Sequence, residues 1–288
     1  MAILRIAVLS DLHLDTVVEP ASWDLSRAAL KAAASSGADH VILAGDTFDC
    51  ATAMLRDREK LQRQITSLGL WHRDRLTIVV GNHDVHHTPH RGSRLDRGRE
   101  LARIPSADTS ALLGTFSEWA NLLSAPGDRL WKRAAFPLRK ELDHVTLYAA
   151  DTTHGDTLRS GEGFWCPRDD ARLRAATLER AERRLLAMHH TPIAGNPMRI
   201  KSVIRGIVPL GFPPESLAPL TRFVEDAAVD AIVCGHLHKT ANYEREVGAR
   251  RTPAYIVGRT GGLHGAASMF GMLSVPVRGR ITWETRAV

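Results

Sequence analysis

The chain has 288 residues, of which 44% are hydrophobic and 24% charged. That length admits one large α/β domain over residues 1–288 with a sizeable core, and no apolar run reaches the roughly 18–20 residues that would span a bilayer. The net charge of +6 and pI near 9.6 suit phosphate esters and leave nucleic acid open as a partner, yet the basic residues are dispersed, as in any arginine-rich composition.

Ile3 to Leu9 is apolar and predicts a buried strand. It lacks a cationic leader and a small-residue cleavage site, so it does not read as a signal peptide. It runs straight into Ser10-Asp11-Leu12-His13. In an extended exit, positions i and i+2 face the same way, so Asp11 and His13 can reach one ion. Alone, the pair equally describes an aspartate capping a turn beside an incidental histidine. Ser22 to Ser36 has near-helical apolar spacing and stops at Gly37. His40 to Ala44 predicts the second strand, which ends in Gly45-Asp46-Thr47-Phe48-Asp49. A charged helix with Leu55, Leu61, Ile65 and Leu68 leads to the third strand, Leu76 to Val80, and to Gly81-Asn82-His83-Asp84.

From His86 to Gly127 the pattern is weak. His86, His87 and His90 share a polar loop with Arg91, Arg94 and Arg97 and read as solvated, with a phosphate-facing rim as the alternative. Leu112, Leu113, Phe116, Trp119, Leu122 and Leu123 mark one helix face, with Trp119 assigned to the core. Val145 to Ala150 predicts a strand followed by Asp151-Thr152-Thr153-His154. Pro167 to Arg184 is helical by pattern, and Leu185 to Met188 is a strand ending in His189-His190-Thr191-Pro192. Residues 194–214 form a long loop in which Arg199, Lys201 and Arg205 are candidate phosphate contacts. A helix from Ser216 to Ala227 precedes the strand Ala231 to Cys234 and Gly235-His236-Leu237-His238. Shorter strands follow at Ala254 to Val257, Met272 to Val277 and Ile281 to Glu284, with His264 in a glycine-rich turn between the first two. Cys50, Cys166 and Cys234 are odd in number and widely spaced, which points to reduced thiols and a cytoplasmic protein.

Asp11, His13, Asp46, Asn82, His83, His189, His236 and His238 all stand at the ends of apolar runs. In open α/β sheets, ligands bind at the carboxyl ends of the strands. A structural explanation serves for each residue alone, but would have to be repeated at every strand end. Carboxylate, imidazole and amide oxygen together suit Mn²⁺, Fe²⁺ or Zn²⁺, and this many donors fit two ions bridged by one aspartate better than one ion.

The ordered set Asp11-Leu12-His13, Gly45-Asp46-Thr47-Phe48-Asp49, Gly81-Asn82-His83-Asp84, His189-His190-Thr191-Pro192 and Gly235-His236-Leu237-His238 resembles the calcineurin-like metallophosphoesterases. The resemblance implies a four-layer αββα sandwich with two mixed β-sheets. It implies a first metal on Asp11, His13 and His238, a second on Asn82, His189 and His236, and Asp46 bridging. The family pattern favours His189 over its neighbour His190 as ligand. His83 would stand over the scissile phosphate as proton donor, with Asp49 orienting it and Asp84 structural. The activity implied is phosphoester hydrolysis by in-line attack of a metal-bridging hydroxide. Asp151-Thr152 ahead of His189-His190-Thr191-Pro192 is similar to the cyclic nucleotide and glycerophosphodiester phosphodiesterase branch, although Thr191 replaces a proline. That favours small phosphodiesters, then phosphomonoesters. The alternatives are a DNA-repair-type nuclease, which the basic pI would suit, and a non-catalytic binding protein on the same fold.

Overall fold

The computed structural model describes residues 2–17, 20–86, 106–131, 135–153, 161–177, 182–194, 211–237, 243–260 and 268–288. Two β-sheets make its centre. The first contains β1 (Ile3–Leu9), β2 (His40–Ala44), β3 (Leu76–Val79), β10 (Met269–Pro276) and β11 (Thr282–Ala287), in the order β11-β10-β1-β2-β3. The second contains β4 (Leu138–Leu142), β5 (Val145–Ala149), β6 (Arg183–Ala187), β7 (Ala231–Cys234), β8 (Tyr243–Val247) and β9 (Thr252–Ile256), in the order β4-β5-β6-β7-β9-β8. β1, β2 and β3 run parallel, as do β5, β6, β7 and β9; β10 pairs antiparallel with β1 and β11 in the first sheet, and antiparallel β4 and β8 close both edges of the second. Parallel strands covered on both faces read as unbroken apolar runs, and every residue of β2, β3, β5 and β7 is buried.

The helices are α1 (Pro20–Ser35), α2 (Ala51–Ser67), α3 (Asn82–Val85), α4 (Ser106–Asn121), α5 (Pro167–Ala176) and α6 (Pro214–Asp226). Side-chain alternation along the second sheet assigns the layers. Val145, Leu147, Leu185 and Val233 share one core with the first sheet and with Trp23, Leu30, Leu61 and Phe116 of α1, α2 and α4. Tyr148, Leu186, Ile232 and Ala254 face the other way, onto Leu173 of α5 and Leu220, Phe223 and Val224 of α6. The layering is helix, sheet, sheet, helix, as the resemblance implied. Both sets of parallel strands present their carboxyl ends to the same edge.

Sequence patterning misses two edge strands. In β4, Leu-Arg-Lys-Glu-Leu carries three charged residues, yet Lys140 is buried and its ammonium donates to the carbonyls of Arg73 (3.0 Å) and Leu76 (2.7 Å). It ties the edge of the second sheet to the start of β3. β8 is similarly polar. The helix expected over Pro167 to Arg184 ends at Ala176, where the Thr177 hydroxyl donates to the Arg174 carbonyl. Arg183 and Arg184 instead open β6. The Arg183 guanidinium and the Arg184 amide both bond the Asp230 carboxylate (2.9 and 2.8 Å). A second correction concerns His86, read as solvated: it is 3% exposed, and its carbonyl accepts from the Ala51 amide at 2.8 Å. His87, His90, Arg91, Arg94, Arg97, His154, Arg199, Lys201, Arg205, His238 and His264 lie outside the described residues.

Candidate metal centre

Parallel strands in register release their exits side by side. The Asp11 amide donates to the Gly45 carbonyl (3.1 Å) and the His13 amide to the Asp46 carbonyl (3.0 Å), so the β1 and β2 exits zip together. The β3 exit joins through the His83 amide, which donates to Asp46 Oδ1 at 2.8 Å. The second sheet meets them through the His236 amide, which donates to Asp11 Oδ2 at 3.0 Å. Asp11, His13, Asp46, His189 and His236 are at most 5% exposed.

Backbone geometry at these exits is uncommon. Asp11 (φ 53), His13 (φ 46), Asp46 (φ 47) and His236 (φ 77) all occupy the left-handed region. Non-glycine residues rarely do so, and such positions cluster at functional sites. Glycines supply the close approach. A Cβ at Gly81 would fall on the backbone and carboxylate of Asp46, and one at Gly235 would fall on the Ser10 hydroxyl.

His189, His236 and His83 each have one nitrogen anchored on a backbone carbonyl and the other turned inward, and His13 sets one nitrogen against a carboxylate. His189 Nδ1 meets the Ala44 carbonyl (2.9 Å), while its Nε2 lies 3.2 Å from Asp46 Oδ2 and 3.1 Å from Asn82 Oδ1. His236 Nε2 meets the Gly161 carbonyl (3.0 Å), and its Nδ1 lies 3.2 Å from His189 Nε2. His13 Nδ1 faces Asp49 Oδ1 (3.3 Å), and its Nε2 is 3.9 Å from both Asp11 Oδ1 and Asp46 Oδ2. His83 Nδ1 meets the Asp49 carbonyl (2.8 Å), and its Nε2 is 4.0 Å from Asp46 Oδ2. An anchored nitrogen on a carbonyl carries the proton and leaves the other ring nitrogen's lone pair for a metal.

Ligand atoms of His13, Asp46 and His83 lie within 4.8 Å of one another, as do those of Asp46, His189 and His236. Asp46 belongs to both sets, the arrangement one carboxylate between two ions requires. Asp11 and Asn82 adjoin these sets. The donors are nitrogen and oxygen, which suits divalent transition metals. The electrostatics agree. Burial alone would lower the His189 imidazole, but Asp46 and Asp11 raise it to about 9, so the pocket draws positive charge. The residues fit a two-metal group.

The Asp49 carboxylate faces His13, and its backbone carbonyl meets His83. The Asp84 carboxylate accepts from the amides of Phe48 and Gly81, both at 2.8 Å, and burial beside Asp46 pushes it up to about 8. His189 enters the cluster, whereas His190 Nδ1 meets the Thr152 hydroxyl at 2.9 Å. The sequence reading overlooked Ser10, Thr260 and Arg259. Ser10 and Thr260 bond reciprocally, through Ser10 N to Thr260 Oγ1 (3.1 Å) and Thr260 N to the Ser10 carbonyl (2.9 Å), and Arg259 beside them is 6% exposed. The available signal was Val257-Gly258-Arg259-Thr260, another apolar run that leaves through a glycine.

A four-layer α/β fold with an Asp/His/Asn cluster where the strands of both sheets end defines a metal-binding hydrolase scaffold. The chain belongs to the calcineurin-like phosphoesterase family, whose sequence profile matches residues 4–240. The fold is similar to a dimetal phosphatase from Danio rerio, with TM-score 0.61 and 13% identity over 99% of this chain and 96% of that one. It is also similar to a purple acid phosphatase from yellow lupin (Lupinus luteus) seeds, with TM-score 0.60 and 16% identity. There 99% of this chain aligns, but only 52% of the lupin chain. Comparison with curated protein sequences gives no match.

Proposed function

We propose that this protein is a two-metal phosphoesterase that cleaves small phosphodiesters in preference to phosphomonoesters. The observation that carries the reading is Asp46, whose carboxylate is shared by two sets of ligand atoms while four surrounding imidazoles each aim one nitrogen inward. Asp11, His13 and His238 are assigned to one ion, Asn82, His189 and His236 to the other, and Asp46 to both. The place of His238 rests on the sequence pattern alone. Two divalent cations of the Mn²⁺, Fe²⁺ or Zn²⁺ type, bound there, supply an acidified water and neutralise charge on the phosphate.

His83, whose ring nitrogen lies in one of the two sets, is assigned as the general acid rather than as a ligand. Its Nδ1 proton is held by the Asp49 carbonyl, so Nε2 faces the centre, and in the imidazolium form it gives its Nε2 proton to the departing ester oxygen and keeps the Nδ1 proton. Asp49 keeps His13 in the tautomer that offers Nε2 to a cation. The diester preference is supported by Thr152 and His190, whose side chains bond at 2.9 Å and form the Asp-Thr/His-His pattern of the phosphodiesterase branch. Among the described residues no helix is long and apolar enough to cross a membrane. Cys50, Cys166 and Cys234 are unbridged, which supports a reducing compartment such as the cytoplasm.

The test is hydrolysis of bis-p-nitrophenyl phosphate against p-nitrophenyl phosphate, with added Mn²⁺ and with chelator. Faster, chelator-sensitive cleavage of the diester, abolished in Asp46→Asn, is expected. Preference for the monoester overturns the diester assignment. Turnover that survives both chelator and Asp46→Asn overturns the two-metal reading.

A further inference from the structure

The edge of a β-sheet presents a row of unpaired amides and carbonyls, which can template pairing with another chain. The two sheets end in β3 and β11, and in β4 and β8. Three of these edges are occupied or guarded. Beside β3, the Lys140 ammonium of β4 takes the carbonyls of Arg73 and Leu76. Along β4, the Arg139 amide donates to the Asp128 carbonyl (2.7 Å), the Leu130 amide donates to the Pro137 carbonyl (3.1 Å), and Arg129 bridges Leu138. β8 carries Glu244 and Glu246 on either side of Arg245.

β11, Thr-Trp-Glu-Thr-Arg-Ala, is different. All six residues pair with β10 in one unbroken register, so no bulge turns the strand away, and it holds neither lysine nor proline, the usual guards of an edge. Thr282, Glu284, Thr285 and Ala287 are exposed, and among the described residues no backbone group pairs with its outer side. The strand is held down from within by Trp283, which stacks on Tyr255 with ring centroids 5.2 Å apart.

We propose that the outer edge of β11 pairs antiparallel with the same edge of a second copy of this chain, with Thr285 on the two-fold axis. In such a pair, opposed residues must both turn their backbone groups toward the partner or both away, so the axis passes through a residue and not between two. Charge then selects the residue, because like charges directly opposite destabilise a sheet and unlike charges stabilise it. An axis at Glu284 sets glutamate on glutamate, and one at Arg286 sets arginine on arginine. An axis at Thr285 places Glu284 opposite the partner's Arg286 and Arg286 opposite the partner's Glu284. Within one chain these side chains already bond, Arg286 Nε donating to Glu284 Oε1 at 2.8 Å, so the pairing closes a ring of four alternating charges. The same rule turns β8 away from itself: axes at Glu244, Arg245 or Glu246 all bring two glutamates together. β11 runs parallel to β1, β2 and β3, so the antiparallel pairing sends the two metal-ligand clusters to opposite edges of the joined sheet. The inference stands apart from the phosphoesterase reading.

Sedimentation velocity of the full chain tests it and should show a concentration-dependent monomer–dimer equilibrium. Glu284→Arg and Arg286→Glu should each weaken self-association by about 10-fold or more, since each sets like charges opposite at two places. Mixed in equal amounts, the two variants regain both complementary pairs and should form a heterodimer of near wild-type affinity, which a folding defect would not produce. Thr285→Cys tests the register. Opposed Cα atoms lie about 4.5–5.5 Å apart, within disulfide range, so oxidation should link position 285 to its own copy. Ala287→Cys, about 14 Å from its copy in this register, should not cross-link. Peptide mapping separates the new bond from any at Cys50, Cys166 or Cys234. A wild type that stays monomeric up to its solubility limit, a dimer indifferent to both charge reversals, variants that fail to recombine, or cross-linking at 287 in place of 285 overturns the proposal.

Discussion

Gly235→Ala tests the packing of the site more sharply than removal of a ligand. A Cβ at Gly235 would land on the Ser10 hydroxyl and lie 2.6 Å from Asp11 Oδ2. Neither neighbour can give way without loss. The Ser10 hydroxyl donates to the Ala44 carbonyl at 3.0 Å, and Asp11 Oδ2 holds the His236 amide at 3.0 Å. Losing these bonds costs about 1 kcal/mol each, and overpacking a closed core adds about 1–3 kcal/mol. The expected loss of stability is therefore about 3–5 kcal/mol, read from the urea midpoint of the metal-free protein. Displacing Asp11 should also lower the metal retained per chain, measured by mass spectrometry after dialysis. Ser10→Gly removes most of the obstruction, so Ser10→Gly/Gly235→Ala should regain part of both losses, with a favourable coupling energy between the sites. Wild-type stability and metal content in Gly235→Ala would refute the reasoning.

Asp49→Ala should weaken metal binding by roughly 10- to 100-fold, the usual effect of losing an outer partner of a ligating histidine. Its carboxylate holds His13, while its backbone carbonyl, which the substitution retains, holds His83. Metal titration checks this, and saturating Mn²⁺ should restore most of kcat. His40 links stability to pH. Its ring bonds the Asp74 carbonyl and the Thr77 hydroxyl, both at 2.9 Å, and burial lowers it to about 3 from an ordinary 6.5. The unfolded chain thus takes up the proton first. Its contribution is complete above pH 6.5 and is lost as pH falls toward 3, by about 1.4 kcal/mol per pH unit in that window. In His40→Gln the acid limb of stability against pH should be shallower. Lys140→Ala should cost about 2–4 kcal/mol, because it strips the donor from two carbonyls and leaves a void between the sheet edges. Urea unfolding measures that loss, and metal content should stay unchanged.

Much of this protein is legible one strand at a time. Apolar runs mark the parallel strands because both of their faces are covered, and the residues beyond each run announce the site because parallel strands discharge at one edge. Asp11, His13, Asp46, Asn82, His189 and His236 are singled out in this way as candidates, and the α/β class is read from the same runs. Patterning fails where a charged residue is buried by partners distant in the chain. Lys140 lies inside because the Arg73 and Leu76 carbonyls receive its ammonium, and Arg183 and Arg184 leave the expected helix because Asp230 receives them. The split role of Asp49, carboxylate to one histidine and carbonyl to another, also depends on where two strand exits cross. The sequence by itself determined which chemistry the strand ends carry. Only the tertiary structure decided which nitrogen of each imidazole is anchored and that Asp46 lies between two ligand sets, because those facts arise from contacts between residues as far apart as Asp11 and His236.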